Sequence, residues 1–409
     1  MTHLNARPRA VAASPDKQLR PRAALPALCL TQITSWGIVY YAFPVLNPEI
    51  TATTGWSAAA TTAAFSAALV VSALVGIRVG RILDARGPRM VMTTGSAIGT
   101  ASLLVIATAP NLFLFTAGWL LAGFAMASTF YQPAFAALTR WWAPDHVRAL
   151  TVVTLAGGLA STVFAPLTAQ LSAHFGWRHT YLILAAVLAA VTLPAHALAL
   201  RASWPAPAHS TSVQAPTSRT VIRSRTFLLL TTALTLSAFA MYAVVVTLVP
   251  LLLDRGYTTN QAAWALGLGG LGQTLGRLLY TAIARRTTPA VRAAVLIGLG
   301  GVSTAAFALI PGPYPLLAAL AVMAGTVRGN LTLLQATAVT DRWGANQYGR
   351  LSGLLAAPTT TASALAPFAG TALSVPLGGY PHLFAGLALV SAAAALIAHR
   401  TTPPLTRRR

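Results

Sequence analysis

Long apolar runs broken by short polar punctuation set the pattern of this chain. A hydrocarbon layer of about 30 Å asks about 20 apolar residues of each helix that crosses it. Runs of that length fall near 24–47, 57–79, 90–109, 112–138, 149–174 and 181–200, and again near 225–252, 261–283, 291–310, 316–339, 349–374 and 382–398. These are twelve spans in two groups of six. Between the groups lies the one long polar connection, 201–224, with Pro205, Pro207, Pro216 and several Ser and Thr. The pattern predicts an all-α integral membrane protein: tail 1–23, six-helix bundle 24–200, linker 201–224, six-helix bundle 225–398 and tail 399–409.

Composition agrees. Hydrophobic residues make up 56% of the 409 and charged residues 8%, where a soluble domain carries about 25% charged. The net charge of +22 would point to nucleic acid in a soluble protein. Here the basic residues lie between the spans, and 25 of the 28 fall in the tails and the even-numbered connections. Arg178 and Arg255 lie on the other side, and Arg328 belongs to neither. That asymmetry predicts cytoplasmic termini and an even span count, and it accounts for the charge without a nucleic-acid partner. One Lys against 27 Arg in an Ala-rich chain is the composition of a GC-rich bacterial genome, which predicts a bacterial inner (plasma) membrane. Cys29 is the only cysteine, so an internal disulfide or a multi-thiolate metal site is excluded. No cofactor or metal is expected, and no nucleophile or His/Asp constellation at a plausible depth argues for an enzyme.

The halves read as a repeat. Gly55-Trp56-Ser57 pairs with Gly256-Tyr257-Thr258 at an offset of 201, and the same offset pairs Gly80 with Thr281 and Asp84 with Arg285. Two related bundles facing one another leave a central cavity at the bilayer midplane.

The second connection reads Gly80-Arg81-Ile82-Leu83-Asp84-Ala85-Arg86-Gly87-Pro88-Arg89. It resembles the signature loop of the major facilitator superfamily at its Gly, Asp, Arg, Gly and Arg positions. Gly80 is expected to allow close helix packing and Gly87 a tight turn. By resemblance Asp84 would meet the start of the eleventh helix near Arg350, making Gly80, Asp84, Arg86, Gly87, Arg89 and Arg350 a conformational gate. Tyr41-Ala42-Phe43-Pro44, Pro166 and Gly176-Trp177-Arg178 resemble the monocarboxylate-porter and oxalate/formate-exchanger branch. The likeness has departures. Val45 stands where animal monocarboxylate porters have a lysine, Gln273 where they have an Asp one turn before Arg277, and Gly118 and Trp119 where proton-coupled exporters carry an Arg. Proton coupling of the familiar kind is therefore not implied.

An Arg at bilayer depth costs about 2.5–3.5 kcal/mol on insertion scales, so it needs a reason. Arg328 lies midway along the tenth span, with Thr332 and Gln335 on the same helical face. The stripe marks either a solute path or a structural Arg bonding carbonyls at a break near Gly325 and Gly329. Arg277 lies one turn inside its helix in one repeat register and at the headgroups in the other, with Gln273 on the same face. Gln32, Trp36 and Tyr40 recur at four-residue spacing in the first span, and Tyr131 and Gln132 stand beside Pro133 in the fourth. No span carries an acid, and Glu49, read as just beyond the first span, is the nearest candidate partner for Arg328. A cationic cavity without a carboxylate favours an anionic substrate. The expected function is alternating-access transport of a small organic anion by a monomeric carrier, with an exchanged or coupling ion as a further partner; the competing one is efflux of drugs or toxic metabolites.

Overall fold

A computed structural model describes residues 21–142, 146–204, 221–343 and 348–401, without the side chains of 146, 147, 340, 348–350 and 352. All twelve expected helices are present among them. The first bundle holds α1 (24–54), α2 (Ala58–Arg86), α3 (Pro88–Thr108), α4 (Leu112–Trp141), α5 (146–175) and α6 (177–199). The second holds α7 (Arg225–Asp254), α8 (Thr259–Arg286), α9 (Pro289–Leu309), α10 (Tyr314–Thr337), α11 (Tyr348–Ser374) and α12 (Tyr380–His399). Several run longer than their apolar stretches, α1 to Thr54 and α2 to Arg86, because helix-forming residues continue the backbone pattern beyond the hydrocarbon length. Between α5 and α6 the expected loop shrinks to Gly176, whose φ of 72° suits glycine.

Local chemistry sets the helix starts. Ser57, Asn111, Ser224, Thr258 and Thr288 each accept a backbone N–H in the first turn of α2, α4, α7, α8 and α9, and Pro88 and Pro289 occupy the first turn of α3 and α9. The bounds of α3 and α9 coincide at the offset of 201, as do the caps Ser57 and Thr258. In that register Arg277 is expected one turn inside; α8 runs on to Arg286, which leaves Arg277 nine residues inside its end, about 14 Å at 1.5 Å per residue.

The two basic residues on the opposite face have structural work. Arg178 Nη1 donates to Ala107 O and Ala109 O at 2.9 Å each, and Arg255 donates to Phe307 O, Ala308 O and Ile310 O. Each guanidinium covers the carbonyl end of α3 or α9, where a cation is favoured by the helix dipole.

Both described chain ends lie on one face, called the terminal face below. Near it each bundle has its own apolar core: Leu28, Met92, Leu138 and Trp141 in the first, Phe227, Leu296, Leu334 and Leu355 in the second. Toward the far face one core spans both halves, joining Phe43, Phe65, Trp119 and Tyr181 to Val249, Leu252, Leu266 and Phe307. Across the middle, Thr162 Oγ1 of α5 donates to Gly267 O of α8 at 2.8 Å, and Phe368 N of α11 donates to Ser66 Oγ of α2 at 3.1 Å. The halves thus share one apolar core on the far side and keep separate apolar cores toward the terminal face. Eight helices, with α5 and α6 taken as one, are long and apolar enough to cross a membrane, among the described residues; α1, α8 and α11 do not reach that standard. Gly267 and Gly270 of α8 face the other half.

Candidate functional site

Helix α1 changes pitch midway. Ala24–Ser35 and Ala42–Thr54 are α-helical, and Trp36–Tyr41 between them is a π turn, a feature that collects at functional positions. Trp36 stacks on Phe130 with ring centroids 4.0 Å apart and stands 5.3 Å from Tyr131. Helix α4 breaks at Phe130 (ψ −162°). Pro133 has no N–H for Thr129 O, and Gln32 Nε2 donates to that carbonyl at 2.6 Å instead. Gln32, fully buried, is therefore a backbone partner of the α4 break. Trp36 Nε1 and Tyr40 Oη are buried without a hydrogen-bond partner among the described residues, and Gln132 is exposed.

The glycines of α8 form two stripes. Gly269, Gly272 and Gly276 press against α10, where Gly325 and Gly329 press back. A Cβ on Gly276 would overlap the Thr326 carbonyl, its carbon 2.8 Å away, and one on Gly325 would overlap that of Gly269. Gly267 and Gly270 face Ser161 and Thr162 of α5 in the other bundle. Helix α10 is continuous, so Gly325 and Gly329 mark close packing; the break considered for them is absent.

That packing sets Arg328 beside Gln273, with Nη2 donating to Gln273 Oε1 at 3.0 Å. Arg328 Nε has no hydrogen-bond partner among the described residues. Arg328 is nine residues from the end of α10, the same depth as Arg277 in α8. Thr332 Oγ1 donates back to Arg328 O at 3.1 Å, and Gln335 is half-buried. Arg277, 7% exposed, crosses to the other bundle and donates to Thr154 O of α5, within hydrogen-bonding reach of Tyr131. Helix α5 is opened there: Leu159 N bonds Ala156 O at 2.9 Å, which frees Leu155 O for Thr274 Oγ1 at 3.4 Å. Tyr41 and Tyr242 also lie within electrostatic reach of this group. Tyr242 escaped the sequence reading, although a lone phenol in the apolar run of α7 was a signal.

The acids stand elsewhere. Glu49 lies inside α1, not beyond it, and accepts from Trp177 N at 3.1 Å and from Ser172 Oγ. It caps α6 and is no partner of Arg328. Asp84 pairs with Arg140 of α4 at 2.6 Å. The proposed Arg350 contact lies outside the described side chains. Gly87 turns with φ 78° beneath Trp204, the start of the linker, whose Nε1 donates to Asp84 O at 3.0 Å and whose ring carries Arg140 at 4.5 Å. A Cβ on Gly80 would meet nothing within 4 Å among the described residues, so the close packing expected there is not seen among them. Arg86 and Arg89 are exposed, Arg89 donating to Ala197 O at 2.9 Å. In the second bundle Asp341 pairs with Arg292, and Arg342 ties Thr401 O to Pro289 O. Burial pulls the Arg342 guanidinium down to about 10.

The family model for the Major Facilitator Superfamily matches residues 28–356. Monocarboxylate transporter 13 of Rattus norvegicus is 27% identical over 360 residues, 87% of this chain and 79% of that protein. Its Bos taurus counterpart is 29% identical over 256 residues, 62% of this chain and 57% of that protein. The uncharacterized MFS-type transporter YcxA of Bacillus subtilis matches at 29% over 31% of each chain. The chain thus spans less than two thirds of two of these three relatives. Among solved structures, a bacterial homolog of the human lysosomal transporter Spinster, inward-facing and occupied, superposes with TM-score 0.74 at 15% identity, covering 94% of this chain and 97% of that one. The nucleoside transporter NupG gives 0.73 at 15% identity, covering 93% and 99%.

The chain belongs to the major facilitator superfamily, a family of membrane transporters and not of enzymes.

Proposed function

We propose that this carrier moves a small organic anion of carboxylate type across a bacterial inner membrane by alternating access, with both termini in the cytoplasm. Arg328 carries the reading. Its guanidinium lies about 14 Å inside α10, its one side-chain partner among the described residues is the neutral amide of Gln273, and its Nε is unpaired. The described acids are held at helix ends. A carboxylate substrate supplies the missing charge and the bidentate acceptor that a guanidinium fits. The names of the rat and bovine relatives support the same class. On this reading the separated terminal-face cores are the open side of an inward-facing state.

Export of flat aromatic compounds is the second reading, favoured by the Trp36, Phe130 and Tyr131 stack. Counterflow in liposomes with labelled organic anions and neutral aromatics separates the two. Saturable anion counterflow that disappears in Arg328→Gln is the expected result. Equal anion flux in both proteins, or flux of neutral compounds alone, overturns the anion reading.

A further inference from the structure

Within the second bundle, α7, α8, α9, α10 and α12 line a partly open chamber of about 60 Å³, and Arg328 forms part of its wall. Much of that wall is apolar, but Ser237, Ser303, Thr304 and Ser391 also line it, none more than 6% exposed. Ser303 and Thr304 donate their hydroxyl protons to Gly300 O at 2.9 and 2.8 Å, and Ser391 donates to Leu387 O at 3.0 Å. Each of these oxygens therefore keeps lone pairs and no free proton. Arg328 presents the opposite deficit: its terminal nitrogens carry four N–H groups, one of them met by Gln273, while the unmet Nε is closed off from the chamber. Donors and acceptors share one chamber without touching.

Water reconciles them, since one molecule accepts from a guanidinium N–H and donates to a hydroxyl oxygen. The volume exceeds the roughly 10–15 Å³ that one water molecule needs, so there is room for at least one. We propose that this chamber is a water site, in which ordered molecules bridge Arg328 to Ser303, Thr304 and Ser391.

The consequence rests on the reading of Arg328 as the anion's partner. A carrier that has released its anion must reorient with an uncompensated cation at mid-membrane depth. Water behind the guanidinium supplies acceptors during that step, so the empty carrier returns and net transport occurs. When anion is bound on both legs of the cycle, as in exchange, its carboxylate supplies them instead.

The test is the double variant Thr304→Val, Ser391→Ala, which keeps the shape of the wall and removes two acceptors. Exchange and net zero-trans uptake of labelled acetate and benzoate are measured in liposomes beside wild type. Exchange within about twofold of wild type, with net uptake reduced roughly tenfold or more, is expected for lost hydrogen bonds to a charged group. Equal loss of both fluxes, or loss of neither, overturns the coupling. Independently of transport, a cryo-EM map that resolves ordered water shows density between Arg328 and the hydroxyls in wild type and loses it in the variant. A dry chamber in the wild-type map overturns the proposal whatever the fluxes do. Full anion exchange by Arg328→Gln would instead remove the substrate reading and leave the map to decide the water site.

Discussion

Two glycines nine residues apart on α8 separate folding from conformational choice. A Cβ on Gly276 would overlap the carbonyl of Thr326, within the same bundle, and that backbone cannot rotate away. Overpacking of this kind costs about 1–3 kcal/mol, offset by the gain of up to about 1 kcal/mol for Ala over Gly in a helix. The cost applies in every state in which the second bundle is intact. Gly267 faces the other bundle instead. A Cβ there meets Ser161 O at 3.2 Å, Thr162 Cα at 3.3 Å and Pro166 Cδ at 3.4 Å, all backbone or ring atoms. Alanine is a tight fit, and the added methyls of valine have no room. Gly267→Val therefore penalises only the arrangement in which α5 and α8 touch at this level. A penalty of about 1–3 kcal/mol moves the balance of states by roughly 5–150-fold. The assay starts from Cys29→Ser, which is free of cysteine, with Ser66→Cys as reporter at the α2–α11 contact, where Ser66 is 3% exposed. Gly267→Val should speed labelling of this thiol by a membrane-impermeant maleimide and change the melting temperature little. Gly276→Ala should lower the melting temperature and leave labelling unchanged. Parallel changes in both variants would refute the division of the stripe into a packing face and a moving face.

Other consequences are as direct. Gln32→Leu leaves Thr129 O without its donor and should destabilise the protein by about 1–3 kcal/mol; adding Pro133→Ala restores a backbone N–H and should recover part of the loss in a thermal double-mutant cycle. Arg178→Ala and Arg255→Ala each uncover a helix end and should cost about 1–2 kcal/mol, additively, because the two sites lie in different bundles; strong non-additivity would contradict independent capping. Trp204→Ala removes the ring over Gly87 and the bond to Asp84 O, so limited proteolysis should cut the linker faster than in wild type. An unchanged rate would show that Trp204 does not hold it.

The twelve spans, their grouping and the repeat register were legible because each follows from local quantities: apolar run length, capping hydroxyls before a helix, proline in a first turn. The asymmetry of arginines was legible for the same reason, whereas the stretch from Gly80 read as a loop is helical to Arg86 and turns only at Gly87. What a polar side chain does inside the membrane was not, because that depends on which carbonyl or ring another helix brings to it. Gln32, Trp36 and Tyr40 share a spacing, yet Gln32 serves the Pro133 break and the other two keep unpaired polar atoms. Glu49 has the charge to answer Arg328 but reaches α6 first. Gly267 and Gly269 are two residues apart and face different bundles. Sequence by itself determined that this chain crosses a membrane twelve times in two related halves, since the cost of exposing backbone and charge to lipid fixes that count. Only the tertiary structure decided which half each polar group serves, because helix packing, not helix formation, sets those pairings.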